Sequence, residues 1–179
     1  MIVNALGRKR FHDRRVQFHF RGFSASAVGV TSFPWSDVLI IAALILLNGL
    51  FSMSELAIVS ARTARLKMAA ERGSKGAQTA MAMAADPGRF LSSVQIGITL
   101  VGIIAGAYSG SSLGGPTGER LAALGVPADW APEAGFAVVI VLTTYFSLVV
   151  GELVPKQLAL RAAEQIAITA ALPMAMVAK

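Results

Sequence analysis

The stretch Leu39–Ser60, LIIAALILLNGLFSMSELAIVS, decides how the chain is read. From Val38 to Leu47 there is no polar side chain. At ~1.5 Å rise per residue, some twenty mostly apolar residues cross a hydrocarbon layer of ~30 Å, so the stretch predicts a membrane-spanning helix. Asn48, Ser52, Ser54 and Glu55 then follow closely. A charged side chain at the centre of a span costs about 2.5–3.5 kcal/mol on insertion scales, so a retained carboxylate points to use. Asn48, Ser52 and Glu55 stand at i, i+4 and i+7 and share one helix face. Their oxygens suit a cation site or path. The same stripe also suits interhelical hydrogen bonds that hold a bundle together.

Composition agrees with a membrane reading. Of 179 residues, 55% are hydrophobic and only 15% charged, and mean hydropathy is +0.63, which separates the chain from soluble domains. The absence of cysteine removes thiolate metal sites and disulfides. The net charge of +6 raises the question of a nucleic-acid partner, which would need basic residues clustered on a folded surface. Instead, twelve of the sixteen basic residues fall in residues 8–21 and 62–89, on either side of the first apolar helix. Orientation in a lipid bilayer accounts for at least the second block, and no nucleic-acid partner is expected.

Working outward, residues 1–35 read as a disordered basic leader. Arg8, Lys9, Arg10, Arg14, Arg15 and Arg21 face a single acid, Asp13. No signal-peptide core lies between them and the first span; an Arg-rich transit peptide is the competing reading. Phe33-Pro34-Trp35 reads as an interfacial anchor, and Ser36 or Asp37 as the cap of the first span. Residues 62–89 have helical periodicity, a break near Gly73 to Gly76, and a new helix start at Asp86-Pro87. Six basic residues there oppose Glu71 and Asp86, which predicts a cytoplasmic loop. Residues 115–133 are net acidic and belong outside, so the N-terminus is placed outside as well.

The second span is expected from Phe90 to Ser112, closed by Gly114-Gly115-Pro116. Ser92, Gln95 and Thr99 form a polar stripe on it. Gly102, Gly106, Gly110 and Gly114 recur every fourth residue, a smooth face for a close helix contact. That contact can lie within one chain or between two copies. The third span is expected from Ala134 to Val154, with Thr144, Ser147 and Gly151 as a third stripe and Glu152 beside it. Pro155 has no N–H, so the carbonyl of Gly151 loses its helical partner. At membrane depth such a carbonyl needs a ligand, for which a cation is one solution; water at a helix end is the other. Residues 156–179 suggest an interfacial helix interrupted by Pro173.

Three helices thus offer hydroxyl, amide, carboxylate and carbonyl oxygens. Hard cations such as Mg²⁺, Ca²⁺ or Na⁺ take oxygen ligands, and Mg²⁺ prefers six at ~2.0–2.1 Å. Both histidines lie in the leader, which disfavours zinc or copper. No nucleophile–base pair, Walker loop or dinucleotide turn is present, so an enzyme is not expected.

Three motifs carry a family resemblance. Phe51-Ser52-Met53-Ser54-Glu55-Leu56-Ala57, then Asp86-Pro87-Gly88-Arg89-Phe90-Leu91 with Gln95-Ile96-Gly97, then Gly151-Glu152-Leu153-Val154-Pro155-Lys156 resemble, in order, the motifs of the CorC / cyclin M (CNNM) magnesium transporters. Bacterial members are often labelled haemolysin-C-like. The resemblance covers residues 36–179. It implies an all-α integral membrane fold of three transmembrane helices with a cytoplasmic-side juxtamembrane helical belt, working as a homodimer in the cell membrane, a bacterial inner membrane in a prokaryote. It implies export of Mg²⁺ coupled to Na⁺, with the ion held by serine hydroxyls, a carboxylate and a backbone carbonyl. On that reading the ion-binding residues are Ser52, Ser54, Glu55, Gln95, Thr99, Gly151 and Glu152. Asn48, Gly102, Gly106, Gly110 and Pro155 are structural. The sequence departs from the family at Ile98 and Gly102, where many members carry asparagine. The regulatory domain pair and small C-terminal domain common in the family are not found in these residues, which suggests a truncated member. A membrane scaffold that transports nothing, or a haemolysin-like membrane-perturbing protein, is the alternative.

Overall fold

A computed structural model of the chain describes residues 33–177. Residues 1–32 of the leader expected over residues 1–35, with all its basic residues, lie outside the described residues; its last residue, Trp35, already belongs to the first helix. Among the described residues every regular element is helical. Helix α1 runs Trp35–Ser60, α2 Thr63–Glu71, α3 Lys75–Ala85 and α4 Pro87–Ala123. Helix α5 runs Ala131–Leu148, passes through a π-helical turn at Val149–Leu153, and continues as α6, Val154–Arg161. Helix α7, Ala163–Val177, follows. Three of these runs are long and apolar enough to cross a membrane: Trp35–Ser60, Pro87–Ala123 and Ala131–Arg161.

Local signals set most boundaries. Ser74 Oγ accepts from the Ala77 N–H at 3.2 Å and starts α3, after Gly73 has turned the chain with φ of +89°. Asp86 Oδ1 accepts from the Arg89 N–H at 3.5 Å, and Pro87 occupies the first turn of α4. The cap expected at Ser36 or Asp37 does not form. Helix α1 begins at Trp35 after Pro34, without a side-chain cap bond. Asp37 instead accepts a 2.9 Å hydrogen bond from the Tyr108 hydroxyl, tying α1 to α4.

The second span is longer than its sequence suggested. Gly114-Gly115-Pro116 does not end α4, which carries Pro116 inside it and continues to Ala123. Packing against α5 holds the extra turns. A Cβ on Gly110 would lie 2.6 Å from the Phe136 ring, and one on Gly118 would lie 2.7 Å from the Ala131 carbonyl oxygen. The two helices therefore form a close antiparallel hairpin in which a side chain at either glycine would clash. The glycine stripe divides here. Gly110 and Gly114 face α5, whereas a Cβ on Gly102 or Gly106 would meet nothing within 4 Å.

At the other end of the spans, α2, α3 and α7 form the belt. Phe51, Ala57 and Ile58 of α1, Leu66 of α2, Ala80 of α3, Phe90 and Val94 of α4, Ala159 of α6 and Ala167, Ala171 and Met174 of α7 share one core. Helix α7 is not interrupted at Pro173, which lies inside it. Its Ala163, Ala167, Ala171 and Met174 make the buried stripe. A smaller core of Ile41, Ile45, Leu113 and Val139 joins the spans nearer the Asp37–Tyr108 end.

Candidate functional site

Helix α1 crosses the third span where both chains are bare. A Cβ on Gly49 would lie 3.0 Å from Pro155 Cγ and 3.3 Å from the Val150 carbonyl oxygen. A Cβ on Gly151 would lie 3.1 Å from the Ile45 carbonyl oxygen. Side chains in place of these glycines would hold the backbones apart. The third span does not break at Pro155, as a simple α-helix end would. It widens into the π turn, and the freed carbonyl of Gly151 takes a side-chain donor instead: Asn48 Nδ2 donates to it at 3.2 Å.

That bond orients Asn48. Its nitrogen is engaged, so Oδ1 is left over, buried and without a hydrogen-bond partner. One helical turn away, Ser52 is fully buried, and its Oγ also has no partner. Leaving such a group unsatisfied in an interior costs about 1–3 kcal/mol. Among the described residues these are the buried side-chain polar atoms left unpaired, and both belong to the same face of α1. The crossing thus holds two unpaired oxygens on one face of α1, the first on the amide that donates to the Gly151 carbonyl.

The remaining residues expected at an ion site lie around this crossing rather than in it. Ser54 is buried, but its Oγ donates to the Leu50 carbonyl at 2.6 Å, within its own helix. Glu55 is half-buried, on the turn after Ser52. Glu152 is half-buried and paired with Lys156 at 2.6 Å. Gln95 and Thr99 lie on the exposed face of α4. Thr144 is exposed, and the buried hydroxyl of the third span is Thr143. The π turn causes this shift: it adds one residue to the register, so Thr143 shares a face with Gly151 across eight positions instead of seven.

Asn48, whose i, i+4 spacing with Ser52 suits either a cation path or a packing stripe, does both here: its nitrogen ties α1 to the third span and its oxygen is left unpaired. Nothing in the sequence marks Thr143. Among the described residues no three carboxylate, imidazole or thiolate groups converge. The crossing offers amide, hydroxyl and carbonyl dipoles. Two clefts flank it. One of about 460 Å³ runs between α1 and α5 past Ile45, Thr143 and Val150. The other, of about 580 Å³, separates α1 from α7 and includes Phe51 and Ser54.

Residues 39–179 match the family model described as the cyclin M transmembrane N-terminal domain. UPF0053 protein sll0260 of Synechocystis sp. is 45% identical over 143 residues, covering 80% of this chain and 32% of that protein. UPF0053 protein YhdT of Bacillus subtilis is 37% identical over 143 residues, covering 77% and 30%. The polyamine export protein of Escherichia coli is 38% identical over 71 residues, covering 40% and 16%. The chain spans about a third of the length of the first two relatives. Together with the three apolar helices, the matches identify a multi-pass membrane protein.

Proposed function

Because this chain belongs to the cyclin M transmembrane domain family, we propose that it moves a divalent cation across the membrane, with Mg²⁺ as the exported ion and Na⁺ as the coupling ion. The observation that carries this reading is the pair of buried, unpartnered oxygens one helical turn apart on α1, Asn48 Oδ1 and Ser52 Oγ, the first on the amide that donates to the Gly151 carbonyl. A bare or partly hydrated cation would supply the partners these oxygens lack, while retained waters complete its coordination. Glu55 and Glu152 follow the site by a turn or less in sequence and supply negative charge at its edge. Gln95 and Thr99, on the outer face of α4, contribute through a second copy if the protein works as a homodimer. The open glycines Gly102 and Gly106 on that helix suit such a pairing. A bacterial inner membrane is the setting this reading assigns.

The direct assay is Mg²⁺ efflux from loaded cells or proteoliposomes carrying the intact protein. Ser52→Ala combined with Glu152→Gln should abolish it; wild-type rates in that double variant overturn the assignment.

The match to a polyamine export protein favours a second reading, an organic polycation as cargo. Ammonium groups donate hydrogen bonds to the same neutral oxygens, and Ile98 and Gly102 leave α4 without the amides many family members carry there. Efflux of labelled spermidine and of Mg²⁺, measured side by side, distinguishes the two. Neither flux would leave a membrane scaffold.

A further inference from the structure

The turn between α2 and α3 forms a basic shelf that neither the transport reading nor the core uses. Arg62, Arg65, Lys67, Arg72, Lys75 and Arg89 are all exposed. Among the described residues the one ion pair any of them makes is Arg65 with Glu164, at 3.8 Å and with Arg65 still more than half exposed. Folding has turned these charges outward. Leu66 of α2 and Ala77 and Ala80 of α3 are buried beneath them. Arg65 and Arg72 line a cleft of about 530 Å³ together with Met68 and Ser74. Met68 is itself half-exposed, an apolar side chain set between two guanidinium groups.

The position of the shelf selects its partner. Arg62 follows the end of α1 by two residues, and Arg89 is the third residue of α4. A third span end is basic too, since α6 terminates at Arg161. Spans fixed in a bilayer hold these cations at the headgroup level, where long side chains can reach phosphate while their stems stay on apolar surface. We infer that the α2–α3 shelf binds the headgroups of anionic phospholipids, with Arg65 and Arg72 clamping one lipid phosphate in the cleft and Met68 against the start of its acyl chain. Two forks of N–H donors match phosphate oxygens, and a zwitterionic lipid brings its own cation to compete with them.

Native mass spectrometry of the full chain, offered equimolar phosphatidylglycerol and phosphatidylcholine of matched acyl chains, tests this. Phosphatidylglycerol adducts should dominate. Each arginine removed should weaken retention about fivefold, in Arg72→Gln and further in Arg65→Gln/Arg72→Gln. Arg120→Gln, a charge lost at the opposite end of the spans, should leave it unchanged. Among the described residues Arg72 makes no ion pair, so the single variant keeps the test open should the double variant unfold. Equal retention of the two lipids, or adducts indifferent to Arg72→Gln, overturns the proposal. Displacement of phosphatidylglycerol by millimolar inorganic phosphate overturns it too, in favour of a soluble phosphate site. None of these results depends on which ion, if any, is transported.

Discussion

The side-chain nitrogen of Asn48 donates a 3.2 Å hydrogen bond to the carbonyl of Gly151, 103 positions later in the sequence. This bond joins the first span to the π turn of the third, and it leaves the oxygen of the same amide unmatched. Stability and ion binding can therefore be separated by substitution at neighbouring positions.

Asn48→Ala removes the donor and strands the Gly151 carbonyl, which should destabilise the protein by about 1–3 kcal/mol. Ser52→Ala deletes a buried hydroxyl with no partner and should leave the ion-free protein as stable or slightly more so. It should, however, abolish any stabilisation by added Mg²⁺. Thermal unfolding in detergent with and without the ion reads both effects. Equal destabilisation by the two variants would contradict the division of roles.

Gly49→Val should be about as damaging as Asn48→Ala, by a different route. Even its Cβ would sit 3.0 Å from Pro155 Cγ, so the added bulk must separate α1 from the third span. A loss of about 1–3 kcal/mol, the usual range for overpacking, is expected. Denaturant or thermal midpoints against Gly88→Val measure it, because a Cβ on Gly88 meets nothing within 4 Å.

Gly110→Leu and Gly106→Leu should part company. The first drives a side chain into the Phe136 ring, 2.6 Å from the Cβ position, and should impair folding and expression. The second meets nothing within 4 Å in its own chain and should express normally. Cross-linking of the Gly106→Leu protein in membranes then reports on pairing alone: loss of dimer places the open glycines between copies, and retention places them against lipid.

The Lys156–Glu152 pair is short but about one-third exposed on both sides. An i, i+4 pair of this kind contributes only ~0.3–0.5 kcal/mol, so Lys156→Gln should scarcely alter stability. If Glu152 serves the ion, freeing it from its lysine should raise apparent Mg²⁺ affinity. Calorimetric titration of the variant checks this, and a lowered affinity would remove Glu152 from the site.

At the far end, Tyr108→Phe breaks the 2.9 Å bond to Asp37. A double-mutant cycle with Asp37→Asn should give a favourable coupling between the two side chains. Zero coupling would show that the contact does not hold α1 to α4.

Much of this architecture was legible in one dimension. Apolar length accounts for the three spans, and the break near Gly73 to Gly76 and the Asp86-Pro87 start mark the belt boundaries. Pro155 correctly pointed to a freed carbonyl at Gly151. What could not be read was set by tertiary contact. Gly114-Gly115-Pro116 looks like a helix end, but the apposed start of α5 keeps α4 helical. The glycines at positions 102 to 114 look like one face, but the chain covers only half of it. The stripe at Thr144 assumed an unbroken α-helix and missed by one residue. Asn48 fits both a cation stripe and a packing stripe, because a sequence does not say which of its two amide atoms will be satisfied.

The π turn also has a consequence for how this span can vary. An α-helix advances about 100° per residue, so the extra residue within Val149–Leu153 acts as a phase offset between the two halves of the span. Deleting it would give a straighter, locally better hydrogen-bonded helix. It would also rotate α5 by roughly that angle relative to α6, turning Val139 and Thr143 away from α1 while Pro155 and Ala159 stay seated. The irregular turn is thus the element that keeps Val139 and Thr143 on the same side of the span as Pro155 and Ala159, and the span cannot be regularised without turning one of the two pairs away.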